Sequence, residues 1–382
     1  MSTKKPIDRV PLPTNGGPNS AILREQRKRI DQIDQQLLDL LNQRLEVAGE
    51  IGKIKGRQNT DVRDAGRETE IFRRLLELNQ GRLLSHKALY EIFTMIISVS
   101  REIQIPHDQR ASRLEAPALF AVIGNPVSHS LSPIMHNHAF SAIGYNGLYI
   151  PLEADDIEPA ISGLKSLNFK GASITIPHKE SVIDLLDELD DAAESIKAVN
   201  TVVNSGGRLV GHNTDWSGAL RALSDKIEID GKDVAIIGAG GAARAIAFGI
   251  KAGGGRAIIL NRSKQKGEQL AQQLDAGFIP LSEVEKLDCD ILINTTPIGM
   301  TPDVDDMCLP KTVLENNMVV MDIVYTPLKT KLLREAERIG CACIDGLSMF
   351  VYQGAEQFAL WTGQKAPVDI MRLAVLSALE TS

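Results

Sequence analysis

Two groups of residues in this 382-residue chain have the types and spacing to do chemistry. The first is the glycine run Gly238, Gly240 and Gly241, with Ala242 and Ala243, closing the apolar stretch DVAIIG. A strand, a tight glycine turn and a helix in that order bring backbone N–H groups to a helix N-terminus. There the N–H groups and the helix dipole favour a pyrophosphate. About twenty residues on, the next strand ends in Asn261-Arg262-Ser263, with Lys266 close behind. An acid at that point would hold a ribose 2′-hydroxyl, whereas cations suit a 2′-phosphate, which points to NADP as the cofactor. Glycine turns also serve plain strand-to-helix packing, so the loop alone is a moderate signal. A hydride transfer further needs a proton donor near the reacting oxygen. Lys179 in SITIPHKE and Asp215 in GHNTD are the candidates, each following an expected strand, where open α/β sheets place their ligands. Taken singly, each also reads as a solvated loop charge, and Ser132 before Pro133 as a simple helix start.

The second group lies near the N-terminus. Ile30, Ile33, Leu37, Leu40, Arg44, Val47, Ile51 and Ile54 recur at steps of three and four, an apolar helical seam with one arginine in it. A buried guanidinium left unpaired costs several kcal/mol, so Arg44 must meet a carboxylate of the protein or an anionic ligand. A core pair with Glu68 is the plain alternative. Lys55 lies three turns on from Arg44, about 16 Å along the axis, leaving between them a gap the size of a small ring. Arg27 is about 42 Å from Lys55 along a straight helix, so it can join Lys55 around one small ligand only from a second chain. That predicts an intertwined helical dimer. In the segments that follow, Asp64 and Glu68 lie on the face buried by Ile71, Leu75 and Leu78, and Ser100 lies on the stripe of Leu89, Phe93 and Ile96 with Gln104 one turn on.

The elements that must hold these groups divide the chain. Its length suggests two or three domains. Residues 1–20, with four prolines and two glycines, read as a disordered tail. Residues 21–105 read as an all-α domain of three helices, and residues 106–117 as a linker. From Ala118 on, short β-rich runs (ALFAVIG, LYIPL, ASITI, DVAIIG, AIIL, CDILIN, MVVMDIVY) alternate with helix-length segments, the βαβ pattern of an open parallel sheet. The composition, 43% hydrophobic and 24% charged, is that of a globular protein and excludes wholesale disorder. No apolar run reaches the roughly 18 residues of a membrane span. With no signal-peptide pattern at its start, the chain reads as cytoplasmic. Four cysteines are too few for a disulfide framework and lack a zinc spacing. His129, His136 and His138 do not share a face, so no metal is expected. Residues 1–115 carry 20 Lys+Arg against 16 Asp+Glu, an excess too weak to imply nucleic acid.

Two resemblances follow. Leu23 to Gln104, with the long first helix, VRDAGRE (Val62–Glu68) and the Ser-x-x-x-Gln ending, resembles the all-helical chorismate mutases. That implies that Arg44 and a partner's Arg27 bind the two carboxylates of chorismate. By the same likeness Lys55 and Gln104 face its ether oxygen, Asp64 and Glu68 hold the hydroxyl side, and Ser100 supports a carboxylate. Residues 118–379 closely resemble shikimate dehydrogenase through GNPVSHSLSPIMHN, SITIPHKE, AVNTV, GHNTDWSGA, INTTPIGM, DIVYTP and GLSMFVYQGAEQFALWTG. That likeness implies that Ser130 and Ser132 bind the substrate carboxylate, Thr175, Asn200, Asp215 and Gln353 its hydroxyls, and that Lys179 with Asp215 trades the proton. It puts Tyr325 near this pocket, Asn261, Arg262, Ser263 and Lys266 on the 2′-phosphate and adenine, and Thr296, Gly346 and Met349 on the nicotinamide side. The implied fold is a multidomain chain: a helical mutase domain, an α/β shikimate-binding domain (118–215, completed by 350–382) and a Rossmann NADP domain (216–349). The implied protein is a bifunctional enzyme of aromatic amino-acid biosynthesis, converting chorismate to prephenate and 3-dehydroshikimate to shikimate. The rivals are a dehydrogenase of shikimate or quinate whose helical part only dimerises or senses an effector.

Overall fold

The computed structural model describes residues 18–58, 65–81, 83–104, 116–285 and 287–379. The expected tail up to residue 17, Asp64 and the linker up to residue 115 lie outside the described residues. The described chain forms two compact units, one within residues 1–62 and 95–113, the other within 63–94 and 114–382.

Three helices come first: α1 (Pro18–Arg57), α2 (Ala65–Asn79) and α3 (His86–Gln104). The 40-residue α1 contains no interior proline. Of its three glycines, Gly56 lies in the last turn, while Gly49 and Gly52 each cost helix propensity of about 1 kcal/mol relative to alanine. Gly52 has a packing reason, since a Cβ there would fall 2.6 Å from the Cα of Gln104. The end of α3 therefore seats directly on the α1 backbone. The seam residues Ile30, Ile33, Leu37, Leu40, Val47, Ile51 and Ile54 are 42–60% exposed in the single chain.

The second unit holds two sheets. The strands of the first are β1 (Ala118–Gly124), β2 (Gly147–Glu153), β3 (Gly171–Ile174), β4 (Glu188–Leu189), β5 (Thr201–Ser205) and β6 (Arg208–His212), in the order β2-β1-β3-β5-β6-β4. The helices α4 (Ser132–Ile143), α5 (Ile157–Ser166) and α6 (Asp191–Ile196) alternate with them. This sheet departs from the expected parallel pattern. β5 pairs antiparallel with both β3 and β6 and makes the sheet mixed. The cause is local: Gly206 and Gly207 both take positive φ, 66° and 99°, the conformation a two-residue hairpin turn requires.

After α7 (Asp215–Ser224) the second sheet begins. Its strands are β7 (Asp233–Ile237), β8 (Arg256–Asn261), β9 (Gly277–Pro280), β10 (Ile291–Asn294), β11 (Val319–Asp322) and β12 (Ala342–Ile344). They run β12-β11-β10-β7-β8-β9, all parallel, with α8 (Gly241–Ala252), α9 (Lys264–Leu274) and α10 (Lys331–Ile339) as crossovers. The strand order reverses between β7 and β10, and ligands of such sheets bind at that switch point.

The last two helices, α11 (Gly346–Thr362) and α12 (Val368–Leu379), return to the first sheet. Phe358, Trp361, Met371 and Val375 join Phe120, Phe140 and Tyr149 in one buried cluster. The Trp361 indole donates to the carbonyl of Val202 at 3.0 Å, over Gly171, whose missing Cβ would lie 2.2 Å from that nitrogen. Among the described residues no helix is long and apolar enough to cross a membrane.

Candidate functional sites

The switch point is built by backbone. Gly238 follows β7 at φ 121°, and any side chain there would strike the Thr295 hydroxyl at 2.5 Å. Thr295 in turn donates its N–H and its hydroxyl to the carbonyl of Ile237, at 3.0 and 2.6 Å. At Gly240 a Cβ would meet nothing within 4 Å, so the cradle is open over the start of α8. Gly241 and Ala242 lie in the first turn of that helix, and Ala243 is fully buried beneath it. At the end of β8, Asn261 donates to the carbonyl of Ser263 at 2.9 Å, and the Ser263 hydroxyl caps α9 at the N–H of Lys266. Arg262 and Lys266 are exposed there. Open glycines, a helix N-terminus of twelve residues and two cations fit a phosphorylated dinucleotide.

Lys179 and Asp215, 36 residues apart, meet at 2.5 Å between Nζ and Oδ2, with side chains only 19% and 8% exposed. Asp215 opens α7 and Lys179 follows β3, so two strand ends of the first sheet bring them together. The Asn200 amide donates to the other oxygen of Asp215 at 2.8 Å and to Thr214 at 3.0 Å, and approaches the Gln353 carbonyl oxygen at 3.4 Å. A Cβ on Gly241 would sit 3.5 Å from the Lys179 side chain. The glycine turn and the lysine therefore face each other across one cleft. Thr175 lies on the same loop as Lys179, partly exposed.

The pair is backed by a buried polar chain that sequence reasoning did not reach. The Asn200 oxygen accepts from Thr201 at 2.7 Å and from the N–H of Thr214 at 2.8 Å. Gln357 donates to Thr201 at 3.0 Å and accepts from Ser173 at 2.9 Å, and the Tyr149 hydroxyl donates to Ser173 at 2.6 Å. Burial drives the Tyr149 phenol far above its ordinary range, with Ser132 beside it. Ser132 is not the cap of α4, since the capping position falls on Leu131 and makes no side-chain bond. Its N–H instead donates to the Ser130 hydroxyl oxygen at 3.3 Å. Next to this network His136 is fully buried and stacked on Tyr149 at 4.6 Å; no partner meets hydrogen-bond geometry at its ring nitrogens, and burial, opposed by the nearby Gln357 side chain, lowers its pKa to about 3.

Across the cleft, Thr296 gives its N–H and hydroxyl to the Asn294 oxygen at 3.0 and 2.7 Å. Tyr325 stacks on Phe350 at 4.6 Å, and burial raises its phenol. The Phe350 carbonyl accepts from Gln353 at 2.8 Å. Met349 is buried one turn into α11, whose first residue, Gly346, lies against the Ile323 carbonyl, 2.3 Å from where a Cβ would be.

In the helical part, Arg44 is half-buried and its ordinary pKa is lowered by that burial. Its Nη1 donates to the Ile96 carbonyl at 3.3 Å and to the Ser100 hydroxyl. The Ser100 hydroxyl donates in turn to that same carbonyl at 2.7 Å. Gln104 gives its amide nitrogen to the Ser100 carbonyl at 3.3 Å and leaves its buried Oε1 without a partner. Lys55 is partly exposed, Arg27 is exposed and Glu68 is buried.

A parallel sheet with a glycine turn at its switch point, faced by a lysine–aspartate pair from the first, mixed sheet, defines a dehydrogenase of the pyridine-nucleotide class. Residues 122–202 match the shikimate dehydrogenase substrate binding domain, 221–325 shikimate / quinate 5-dehydrogenase, and 346–376 the shikimate 5′-dehydrogenase C-terminal domain. Residues 26–105 match chorismate mutase type II. A shikimate dehydrogenase (NADP(+)) of Pyrococcus furiosus is 46% identical over 267 residues, 68% of this chain and 96% of that protein. A crystal structure of shikimate dehydrogenase in complex with NADP+ superposes with a TM-score of 0.66 at 39% identity, over 69% of this chain and 96% of that one. The Thermus thermophilus enzyme in complex with NADP(H) and shikimate gives 0.64 at 35% identity, over 68% and 99%. The chain belongs to the shikimate dehydrogenase family, with a type II chorismate mutase domain fused on its N-terminal side.

Proposed function

We propose that both halves turn over in one chain: the α/β part interconverts 3-dehydroshikimate and shikimate with NADP(H), and the helical part rearranges chorismate to prephenate. The observation that carries the first assignment is the Lys179–Asp215 pair facing Gly241. Gly238, Gly240, Gly241, Asn261, Arg262, Ser263 and Lys266 would hold NADP, with Thr296, Gly346 and Met349 on its nicotinamide side, and the bound cofactor would supply the hydride chemistry. Lys179 Nζ gives or takes the proton of the reacting oxygen. Asp215 Oδ2 holds the ammonium in place, and its own orientation is fixed by the Asn200 amide on Oδ1. Ser130 and Ser132 take the substrate carboxylate, and Thr175, Asn200, Gln353 and Tyr325 complete the pocket. In this reading the substrate chemistry belongs to residues 118–215 completed by 350–382, and the cofactor to 216–349.

The rearrangement of chorismate requires no nucleophile and no proton transfer. Catalysis reduces to holding a compact conformer and stabilising charge on the breaking ether bond. In support, among the described residues Arg44 donates through Nη1 alone, and its Nη2 and Nε make no hydrogen bond there. Lys55, Glu68, Ser100 and Gln104 then serve as the likeness implies, with Asp64 on the hydroxyl side. For Gln104 to donate to the ether oxygen, its amide must turn so that the nitrogen takes the place of the unpartnered Oε1. Arg27 would come from the partner, and the exposed seam on α1 supports a homodimer through the helical unit. Both reactions involve small soluble metabolites, which suits a cytoplasmic protein.

Two assays on the purified full chain test the reading: NADPH formation from shikimate, and loss of chorismate with appearance of prephenate. Activity in both is expected. Loss of roughly 10²- to 10³-fold in mutase turnover is expected for Lys55→Ala, with dehydrogenase turnover unchanged. A chain that never consumes chorismate leaves the helical part a dimerisation or effector module. A specificity constant for quinate above that for shikimate would reassign the substrate.

A further inference from the structure

Asp322 ends β11 with no exposed surface, as do Asn294 at the end of β10 and Thr330 at the cap of α10. Its Oδ1 accepts from the Asn294 amide at 3.0 Å and from the N–H of Val324 at 3.1 Å, and its Oδ2 from the Thr330 hydroxyl at 2.7 Å. No lysine, arginine or histidine of the described residues pairs with it; the titratable neighbour is the Cys308 thiol, itself pushed up to about 12, chiefly by burial. Burial raises the Asp322 carboxyl to about 6. A buried carboxylate without a cation is costly, and groups perturbed in this way concentrate where a site must be held in shape.

The three donors belong to three segments that meet beyond the ends of β10 and β11, where Thr296 and Tyr325, assigned above to the cofactor and substrate, also lie. With Nδ2 committed to Asp322 and to the Ile298 carbonyl at 3.3 Å, Asn294 can only turn its oxygen to Thr296, from which it accepts twice. The N–H of Val324 holds the loop that carries Tyr325, and the neighbouring Ile323 donates to the Asn294 carbonyl at 3.1 Å. The Ile323 carbonyl is the group against which Gly346 packs. We propose that Asp322 is a positioning residue of the dehydrogenase, whose carboxylate sets the Asn294 amide and the Val324 backbone and thereby the places of Thr296, Tyr325 and Gly346. It touches neither substrate nor cofactor. The proposal rests on the dehydrogenase reading above, and Asp322 belongs to none of the groups that reading assigns to ligands.

The test is steady-state kinetics of the full chain with Asp322→Ala, Asp322→Asn and Asn294→Ala. Misplacing cofactor-side groups by a fraction of an ångström costs roughly tenfold or more. Asp322→Ala is expected to raise KM for NADP+ and lower kcat, each at least about tenfold, while KM for shikimate stays within about threefold. Asp322→Asn keeps an acceptor for Asn294 and Val324 and is expected to recover most of the loss. Asn294→Ala, which removes the amide between Asp322 and Thr296 but leaves the Val324 and Thr330 bonds of Asp322 in place, is expected to reproduce the NADP+ effect and covers the case in which Asp322→Ala does not fold. The proposal is overturned if the folded variants keep wild-type KM for NADP+ and kcat, or if all parameters fall together with thermal stability. A wild-type chain without dehydrogenase turnover would instead remove the reading on which the proposal rests.

Discussion

The Nζ of Lys179 and the Oδ2 of Asp215 lie 2.5 Å apart, and the second oxygen of Asp215 is taken by Asn200. The pair is thus held from both sides while the Lys179 stem faces Gly241. A proton carrier so placed contributes about 10²- to 10⁴-fold. Lys179→Met should lower kcat for shikimate oxidation by that order and leave the KM for NADP+ within about twofold. Asp215→Asn should lower kcat less and raise the KM for shikimate. Equal kcat in wild type and Lys179→Met would strip the lysine of its role.

Cofactor choice should follow from the exposed end of β8. Arg262 and Lys266 stand where an acid would select a ribose hydroxyl. Replacing Arg262 by serine removes one charge from a 2′-phosphate site, where a charge-assisted bond is worth about 1.5–3 kcal/mol. The KM for NADP+ should rise by roughly tenfold to a hundredfold, while that for NAD+ stays level or falls. Competition between the two cofactors in one assay checks this, and an unchanged preference would move the discriminating contact elsewhere.

Much of the second sheet and of the Lys179–Asp215 pair was legible in sequence because the strands are short buried apolar runs and the glycine turn stands at a fixed place after one of them. The chemistry of Gln357, Ser173, Tyr149 and Asn294 was not. Their partners lie up to 184 residues away, and a buried hydrogen bond between Ser173 and Gln357 leaves no periodic trace. The hairpin of β5 and β6 was missed for a different reason. Its strands are half polar, and only the Gly206-Gly207 turn announces it. Arg44 stood out because a cation interrupts an apolar seam, whereas its contact with Ser100 needed the packing of α3.

His136 gives a pH prediction. Burial lowers it to about 3, below the ordinary 6.5 that it regains on unfolding. The unfolded chain therefore binds a proton that the folded one refuses, and stability is lost as pH falls from 6.5 toward 3, by about 1.4 kcal/mol per unit. Asp322, raised to about 6 from 3.8, works in the opposite sense, gaining stability as pH falls through that window. Comparison with His136→Phe isolates the histidine, since Asp322 is common to both. Between pH 7 and pH 5 the wild type should lose about 2 kcal/mol relative to the variant in urea unfolding. Parallel losses would show that the imidazole is not held neutral.

The seam on α1 yields the last prediction. Ile30, Ile33, Leu37, Leu40, Val47, Ile51 and Ile54 form one stripe, each more than two-fifths exposed, on a helix too long for Arg27 and Lys55 to reach one small ligand from the same chain. If a second copy covers the stripe, a charge in its middle must be desolvated without a partner, at several kcal/mol for each of two symmetric copies. Leu37→Asp should therefore shift the sedimenting species from dimer to monomer at micromolar concentration and lower mutase turnover by at least about 10²-fold, because the partner's arginine leaves with the partner. Dehydrogenase turnover should stay within about twofold, since Lys179, Asp215 and the glycine turn all lie in the other unit. Mutase activity that survives in a proven monomer would mean that Arg27 takes no part and that the stripe serves another end.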